Sequence, residues 1–287
     1  MSYVKDKSLQ SEISIKPFLR WAGGKSRFAH EVISRLPALG QNCTYYEPFM
    51  GAAAVFLAYM PAKAVLSDLN PNLTAAFNCV RDDAKAVAAK LRALCSSDSE
   101  SAYYRVRSVF NEGGDDIIQA ARFIYLNQTC FNGIFRVNQQ GKFNVPYGFK
   151  SNPKIPSKDE LQVVSERLKT ARILMSDYKH AVVNASKGDV IYLDPPYPPL
   201  NGTSYFTHYT KERFAEQDQT DVASLANNLK RKGCHVIVTN ADTPLIRELY
   251  HGWIFSEIER PRWITCSRHK HRVVELVIAS DRWKEIT

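Results

Sequence analysis

The sequence predicts an α/β fold in which a mostly parallel, helix-covered sheet carries an inserted, mainly helical segment. Three observations predict it. Short apolar runs bounded by turn residues alternate with stretches of helical periodicity, the rhythm of parallel strands joined by helical crossovers. That rhythm breaks between about Pro71 and Pro156, where Ala-, Leu- and Lys-rich stretches take over. Near the end, apolar runs at 252–258 and 273–279 have no long helix between them, which points to an antiparallel pair at the sheet edge.

In chain order, strands are expected at 45–47, 62–67, 172–176, 190–193 and 235–239, then the two late runs. Inside the break, 83–94 and 114–129 read as helices. Residues 134–138 and 142–145 flank Gln139-Gln140-Gly141, the pattern of two short strands around a Gly-containing turn, so a β-hairpin should project from the insertion. The expected division is 1–70 with 157–287 as one domain and 71–156 as the inserted one.

At 287 residues, 45% hydrophobic and 23% charged, the chain can bury a sizeable core. Lys+Arg 38 against Asp+Glu 29 gives a net charge of +9, which favours a polyanionic partner. The excess gathers at Lys230, Arg231 and Lys232 and again at Arg260, Arg262, Arg268, Lys270 and Arg272. The six cysteines form no C-x-x-C pair and no zinc-ligand spacing, so reduced thiols and no metal are expected. The polar first 16 residues lack an apolar signal core, and no later run is long enough to span a membrane. A cytoplasmic, monomeric protein is the expectation.

Tyr46-Glu47-Pro48-Phe49-Met50-Gly51-Ala52 follows an expected strand and opens a helix, so small residues let backbone approach a ligand. Asp68 ends the next strand, where doubly wound folds place an acid that accepts from ribose hydroxyls; capping the following helix is its other use. Nicotinamide cofactors and S-adenosylmethionine both suit that geometry. Arg20-Trp21-Ala22-Gly23-Gly24-Lys25-Ser26 is not a phosphate loop, because Leu19 stands where the first Gly belongs. Gly23 and Gly24 can still offer amides to a carboxylate, with Lys25 adding charge.

Asp189-Val190-Ile191-Tyr192-Leu193-Asp194-Pro195-Pro196-Tyr197 delivers an acid, two prolines and an aromatic to the same sheet edge. An adenine amine is a poor nucleophile because its lone pair is conjugated with the ring. Asp194 and the Pro195 carbonyl can accept its two hydrogens and turn that lone pair toward a methyl donor, while Tyr197 stacks on an extruded base.

Together these strings resemble the DNA adenine methylase (Dam) family, the D12 class of N6-adenine-specific DNA methyltransferases, which read R/K-W-A-G-G-K, E-P-F-x-G, S/A-D-x-N and D-P-P-Y. The match runs from about Pro17 to Ile278. It includes Asn127, Phe131-Asn132-Gly133-Ile134-Phe135-Arg136 and Phe143-Asn144-Val145-Pro146-Tyr147-Gly148, similar to the family's DNA-contacting segments.

The resemblance implies a Rossmann-like methyltransferase sheet with an inserted target-recognition domain, S-adenosylmethionine as cofactor and double-stranded DNA as partner. It implies cofactor contacts at Trp21, Ala22, Gly23, Lys25, Glu47, Phe49, Gly51, Asp68 and Asp177, with Asp177 reaching the cofactor's adenine. Asp194, Pro195 and Tyr197 hold the target base. On the DNA side it implies Arg20, Asn127, Phe131, Asn132, Gly133, Ile134, Arg136 and Pro146, with Phe131 as a wedge in the base stack and GATC as the site. An Arg bidentate to guanine and an apolar contact to a thymine methyl give those readers a physical basis.

Three departures bear on it. Ala53 stands where the family often has a second Gly, Phe131 replaces Tyr, and Arg20 replaces Lys. The rivals are an inactive nucleic-acid binder, against which Lys25, Asp68, Asp194 and Tyr197 speak, and an RNA methyltransferase. A hydrolase is a weaker rival, since the deaminase pattern H-x-E with P-C-x-x-C and the G-x-S-x-G elbow are both absent.

Overall fold

Residues Val190–Leu193 form a strand whose four members are all buried, two facing each side, and the rest of the molecule is layered on those two faces. The computed structural model describes residues 15–38, 40, 42–96, 99–198, 214–262 and 271–281. Among them the strands are β1 (Tyr45–Glu47), β2 (Ala64–Asp68), β3 (Ala171–Met175), β4 (Val190–Leu193), β5 (His235–Ala241), β6 (Ile254–Arg262) and β7 (His271–Ala279). The expected first polar stretch and the late basic side chains, with Cys266, fall outside what is described.

The sheet runs β3-β2-β1-β4-β5-β7-β6. β1 to β5 are parallel to their neighbours, and β7 is antiparallel to both β5 and β6. This is the expected Rossmann-like sheet with its antiparallel edge pair. Strand order reverses between β1 and β4, which opens a crevice beyond their carboxyl ends.

The helices are α1 (Ala29–Ile33), α2 (Ala54–Tyr59), α3 (Pro71–Cys95), α4 (Glu100–Glu112), α5 (Asp116–Thr129), α6 (Lys158–Leu168), α7 (Tyr178–Ala181), α8 (Glu216–Arg231) and α9 (Pro244–Leu249). Tyr45, Val190, Tyr192 and Ile237 face α3 to α6, whereas Tyr46, Ile191, Leu193 and Val238 face α8 and α9. The helices of the inserted stretch share one continuous core with the first face, through Phe77, Tyr103, Phe110 and Phe123.

The helix expected over 83–94 is the second half of α3. Asn70 starts the whole helix, accepting from the amides of Asn72 and Leu73, with Pro71 in the first turn. Asp83 breaks it at φ −148°, ψ 72° and recaps it through Ala86 N at 2.9 Å.

The hairpin forms where expected, through antiparallel bridges at Val137 with Phe143 and Cys130 with Tyr147, but its arms are not regular strands. Backbone bonds still cross it, from Asn138 N to the Lys142 carbonyl at 2.9 Å and from Asn144 N to the Arg136 carbonyl at 3.2 Å. Phe143 and Val145 alternate to its outer edge, where Asn111 of α4 takes both the amide and the carbonyl of Phe143, and the Tyr103 hydroxyl and Arg107 take the Val145 carbonyl. Helix side chains thus satisfy the outer edge and fasten the hairpin to α4.

Candidate active site

β4 ends at Leu193, and Pro195 and Pro196, lacking N–H groups, stop the ladder there. Asp194 therefore emerges in the crevice, 17% exposed. Three contacts reach its carboxylate: Lys25 Nζ donates to each oxygen at 2.7 Å, and Thr239 Oγ1 of β5 donates to Oδ1 at 2.7 Å. The Lys25 ammonium, 3% exposed, also donates to the Gly23 carbonyl at 2.9 Å and lies 3.2 Å from Glu275 Oε1 of β7. Glu275 accepts from the Tyr197 hydroxyl, and Lys25 stands 4.9 Å from the Tyr197 ring centre. Burial, with the charges of Asp194 and Glu275, holds that hydroxyl well above the usual phenol range.

The loop itself is braced from below. Gln219 of α8 donates to the Pro196 carbonyl at 2.7 Å and accepts from Asn240 at 2.9 Å, both residues being buried. Sequence reasoning missed Thr239, Glu275, Gln219 and Asn240. Only Glu275 left a signal, a lone acid in the apolar run Val273-Val274-Glu275-Leu276-Val277.

Beside this centre lie the residues expected around a cofactor. Asp68 accepts from Gly51 N at 3.2 Å and Asn70 N at 2.9 Å, and burial outweighs those amides to push its carboxyl up to about 6. Because Asn70 caps α3, Asp68 is not that helix's cap. Gly51, at φ +44°, leaves room for Trp21: a Cβ there would lie 2.8 Å from the indole. Phe49 stacks on Tyr178 at 5.1 Å, forming an aromatic platform. Asp177 caps α7 through the amides of Lys179 and His180, which with the His180 ring outweigh burial and lower its pKa.

Glu47 is buried, with Oε2 accepting from Tyr45 OH and Phe56 N, and burial pushes it up to about 8. Ala22 and Gly23 sit exposed in a turn closed by Gly24 N on the Trp21 carbonyl at 3.0 Å. The amide expected from Gly24 is thus spent locally, and the carboxylate on Lys25 is the protein's own Asp194. Ala53 adopts φ +53°, a region where the family's Gly carries no steric cost.

On the reader side, Phe131 (51% exposed), Asn132, Arg136 and Pro146 face outward. Arg136 Nε donates to Asn144 Oδ1 at 2.8 Å, which orients the guanidinium while leaving its terminal nitrogens to face a base edge. Ile134 is half-buried. Two of the expected DNA-side residues face inward. Asn127 is 3% exposed and spends its amide on Arg20 N, Arg20 O and Gly133 O, so it fastens the segment carrying Arg20 to the reader loop. Gly133 is buried at φ +65° under the Arg20 side chain, where a Cβ would lie 2.8 Å from it.

A family model for D12 class N6 adenine-specific DNA methyltransferases matches residues 21–264, spanning both the catalytic crevice and the reader loop. The chain belongs to that family. Curated relatives agree along almost the whole length. The Type II methyltransferase M.MjaIII of Methanocaldococcus jannaschii is 36% identical, covering 93% of this chain and 99% of that one. The Type II methyltransferase M1.LlaDCHI of Lactococcus lactis is 33% identical over 94% and 97%. The DNA adenine methylase of Haemophilus influenzae is 34% identical over 96% of each. Among the described residues of this adenine-specific DNA methyltransferase, no cluster of His, Cys, Asp or Glu could hold a metal, and no helix is long and apolar enough to cross a membrane.

Proposed function

We propose that the chain methylates N6 of an adenine swung out of duplex DNA, at GATC, with S-adenosylmethionine as donor. The observation that carries this reading is Asp194, held rigidly at the carboxyl end of β4 by Thr239 and followed by Pro195, Pro196 and Tyr197. The neighbouring residues suit the donor. Asp68 retains acceptor capacity for ribose hydroxyls, Phe49 and Tyr178 offer a stacking face for an adenine, and two carboxylates (Asp194, Glu275) against one ammonium (Lys25) favour a cationic ligand.

The donor supplies a methyl on sulfonium sulfur: the N6 lone pair forms the new C–N bond as the C–S bond breaks, its electron pair staying on sulfur. Asp194 and the Pro195 carbonyl accept the two N6 hydrogens, which localises the lone pair and aims it. Asp194 then takes the proton that the methylated nitrogen sheds and releases it to solvent. Tyr197 packs against the base, and the braced loop spares the site reorganisation during the step. Residues 71–156 act as the inserted target-recognition domain, with Arg136 reading guanine, Ile134 and Pro146 contacting a thymine methyl, and Phe131 filling the vacated stack. The enzyme works as a monomer in the cytoplasm with the DNA it modifies.

The test is transfer of labelled methyl from S-adenosylmethionine to duplexes containing GATC, with GATT and adenine-free controls, followed by nucleoside analysis. N6-methyladenine confined to GATC is expected. Label at other adenines overturns the assigned readers, and no label on any DNA overturns the reaction.

A further inference from the structure

Resting on the reading of Asp194 as the acceptor of the adenine amine, the geometry exposes a conflict. In this structure the carboxylate that must receive N6–H carries the Lys25 ammonium on both oxygens at 2.7 Å. That ammonium also cancels the negative charge that makes N6 more nucleophilic. It is 3% exposed, so it cannot step off into water, and leaving a buried cation unpaired is strongly unfavourable.

We propose that Glu275 is a positioning residue that draws the Lys25 ammonium off Asp194 as adenine enters, so that the ammonium moves between two fixed carboxylates. The second seat is already within reach, with Nζ 3.2 Å from Glu275 Oε1. Glu275 is itself 4% exposed on β7, a strand that pairs with β5 and hence with Thr239, so both seats are anchored in the same sheet. The Tyr197 hydroxyl donates to the same Glu275 oxygen, which links the ammonium's position to the ring that packs against the base. The other titratable groups facing Lys25 do not serve. Glu47, pushed up to about 8 by burial, is mostly protonated at neutral pH, and burial keeps the Tyr192 and Tyr197 hydroxyls neutral.

The experiment is the pH profile of kcat and KM for E275Q and E275D beside the wild-type enzyme, with duplex affinity measured separately. In E275Q the ammonium keeps Asp194 and the Gly23 carbonyl but loses its second carboxylate seat. Its kcat near neutral pH should fall on the order of a hundredfold, with duplex affinity retained. Above about pH 8 the rate should climb, because ionisation of Glu47, pushed up to about 8 by burial, then gives the Lys25 ammonium another anion and releases Asp194. E275D, which keeps the charge, should retain a profile of wild-type shape. A wild-type rate in E275Q, or a loss equal at every pH, overturns the proposal.

If wild type transfers no methyl to adenine, the reading of Asp194 falls and this inference with it. Should E275Q fail to fold, the structure of the wild-type enzyme with a GATC duplex and a non-reactive cofactor analogue decides. Lys25 within hydrogen-bond distance of Glu275 and away from Asp194 supports the proposal, and Lys25 still on Asp194 overturns it.

Discussion

The catalytic crevice and the reader loop solve opposite problems. In the crevice the functional groups are buried or half-buried and bonded to one another: Lys25, Asp194, Thr239, Glu275 and Tyr197 form one network at the sheet edge. In the loop the functional groups are exposed, and the buried polar residues lie one step behind them. Asn127, Tyr103 and Asn111 hold backbone, and Asn144 turns Arg136. A catalytic carboxylate needs a low-dielectric, fixed setting before substrate arrives, whereas a base reader must meet its partner across solvent. Damage should follow the same division, abolishing chemistry in one region and misdirecting it in the other.

The sharpest break is Asp194→Ala. Turnover should drop on the order of a thousandfold while duplex affinity stays nearly unchanged, measured by single-turnover transfer and by titration of labelled duplex. A parallel loss of binding would erase the distinction between the two regions.

Asn127→Ala comes next and tests its role as a fastener between the Arg20 segment and the reader loop. Losing three bonds to backbone, two of them at 2.8 Å, should cost about 2–3 kcal/mol of folding stability, read from the denaturant midpoint. A variant of wild-type stability that only binds DNA less well would restore Asn127 as a direct contact.

The smallest expected effect concerns Asp68, whose carboxyl burial pushes up to about 6. If its charged form holds the ribose hydroxyls, cofactor affinity is complete above that value and lost as pH falls through it, about tenfold between pH 7 and 5. Calorimetric titration across that range checks it, and Asp68→Asn should show a flat profile. For folding the sign is opposite: a raised carboxylate pKa favours the protonated folded form, so Asp68 and Glu47 each withdraw stability as pH rises, through the ranges ending near 6 and 8.

Much of the sheet was legible because its signal is local. β1 and β4 fall where apolar runs between turn residues put them, and the lone Asp194 after an apolar strand marks the edge where chemistry sits. Side-chain partnership across the chain was not legible. Nothing near Thr239 or Gln219 says that each braces the loop after β4, because the contacts close over tens of residues. The hairpin pattern was legible as paired segments around a turn, but the side chain that fastens its outer edge, Asn111, lies 32 residues away and left no local signal. The backbone partners of Asn127 were not legible either, because an Asn in a recognition motif reads the same whether it faces a base or a backbone.

Whether reading and chemistry reside in separate regions is tested most directly by mapping N6-methyladenine at single-base resolution on a plasmid treated with wild-type enzyme or with Arg136→Ala. Wild type should mark GATC alone. The variant, having lost about 1–3 kcal/mol of discrimination at one base pair, should still mark adenine and spread to sites differing at that single position. An unchanged map, or the disappearance of methylation at every site, would contradict the separation.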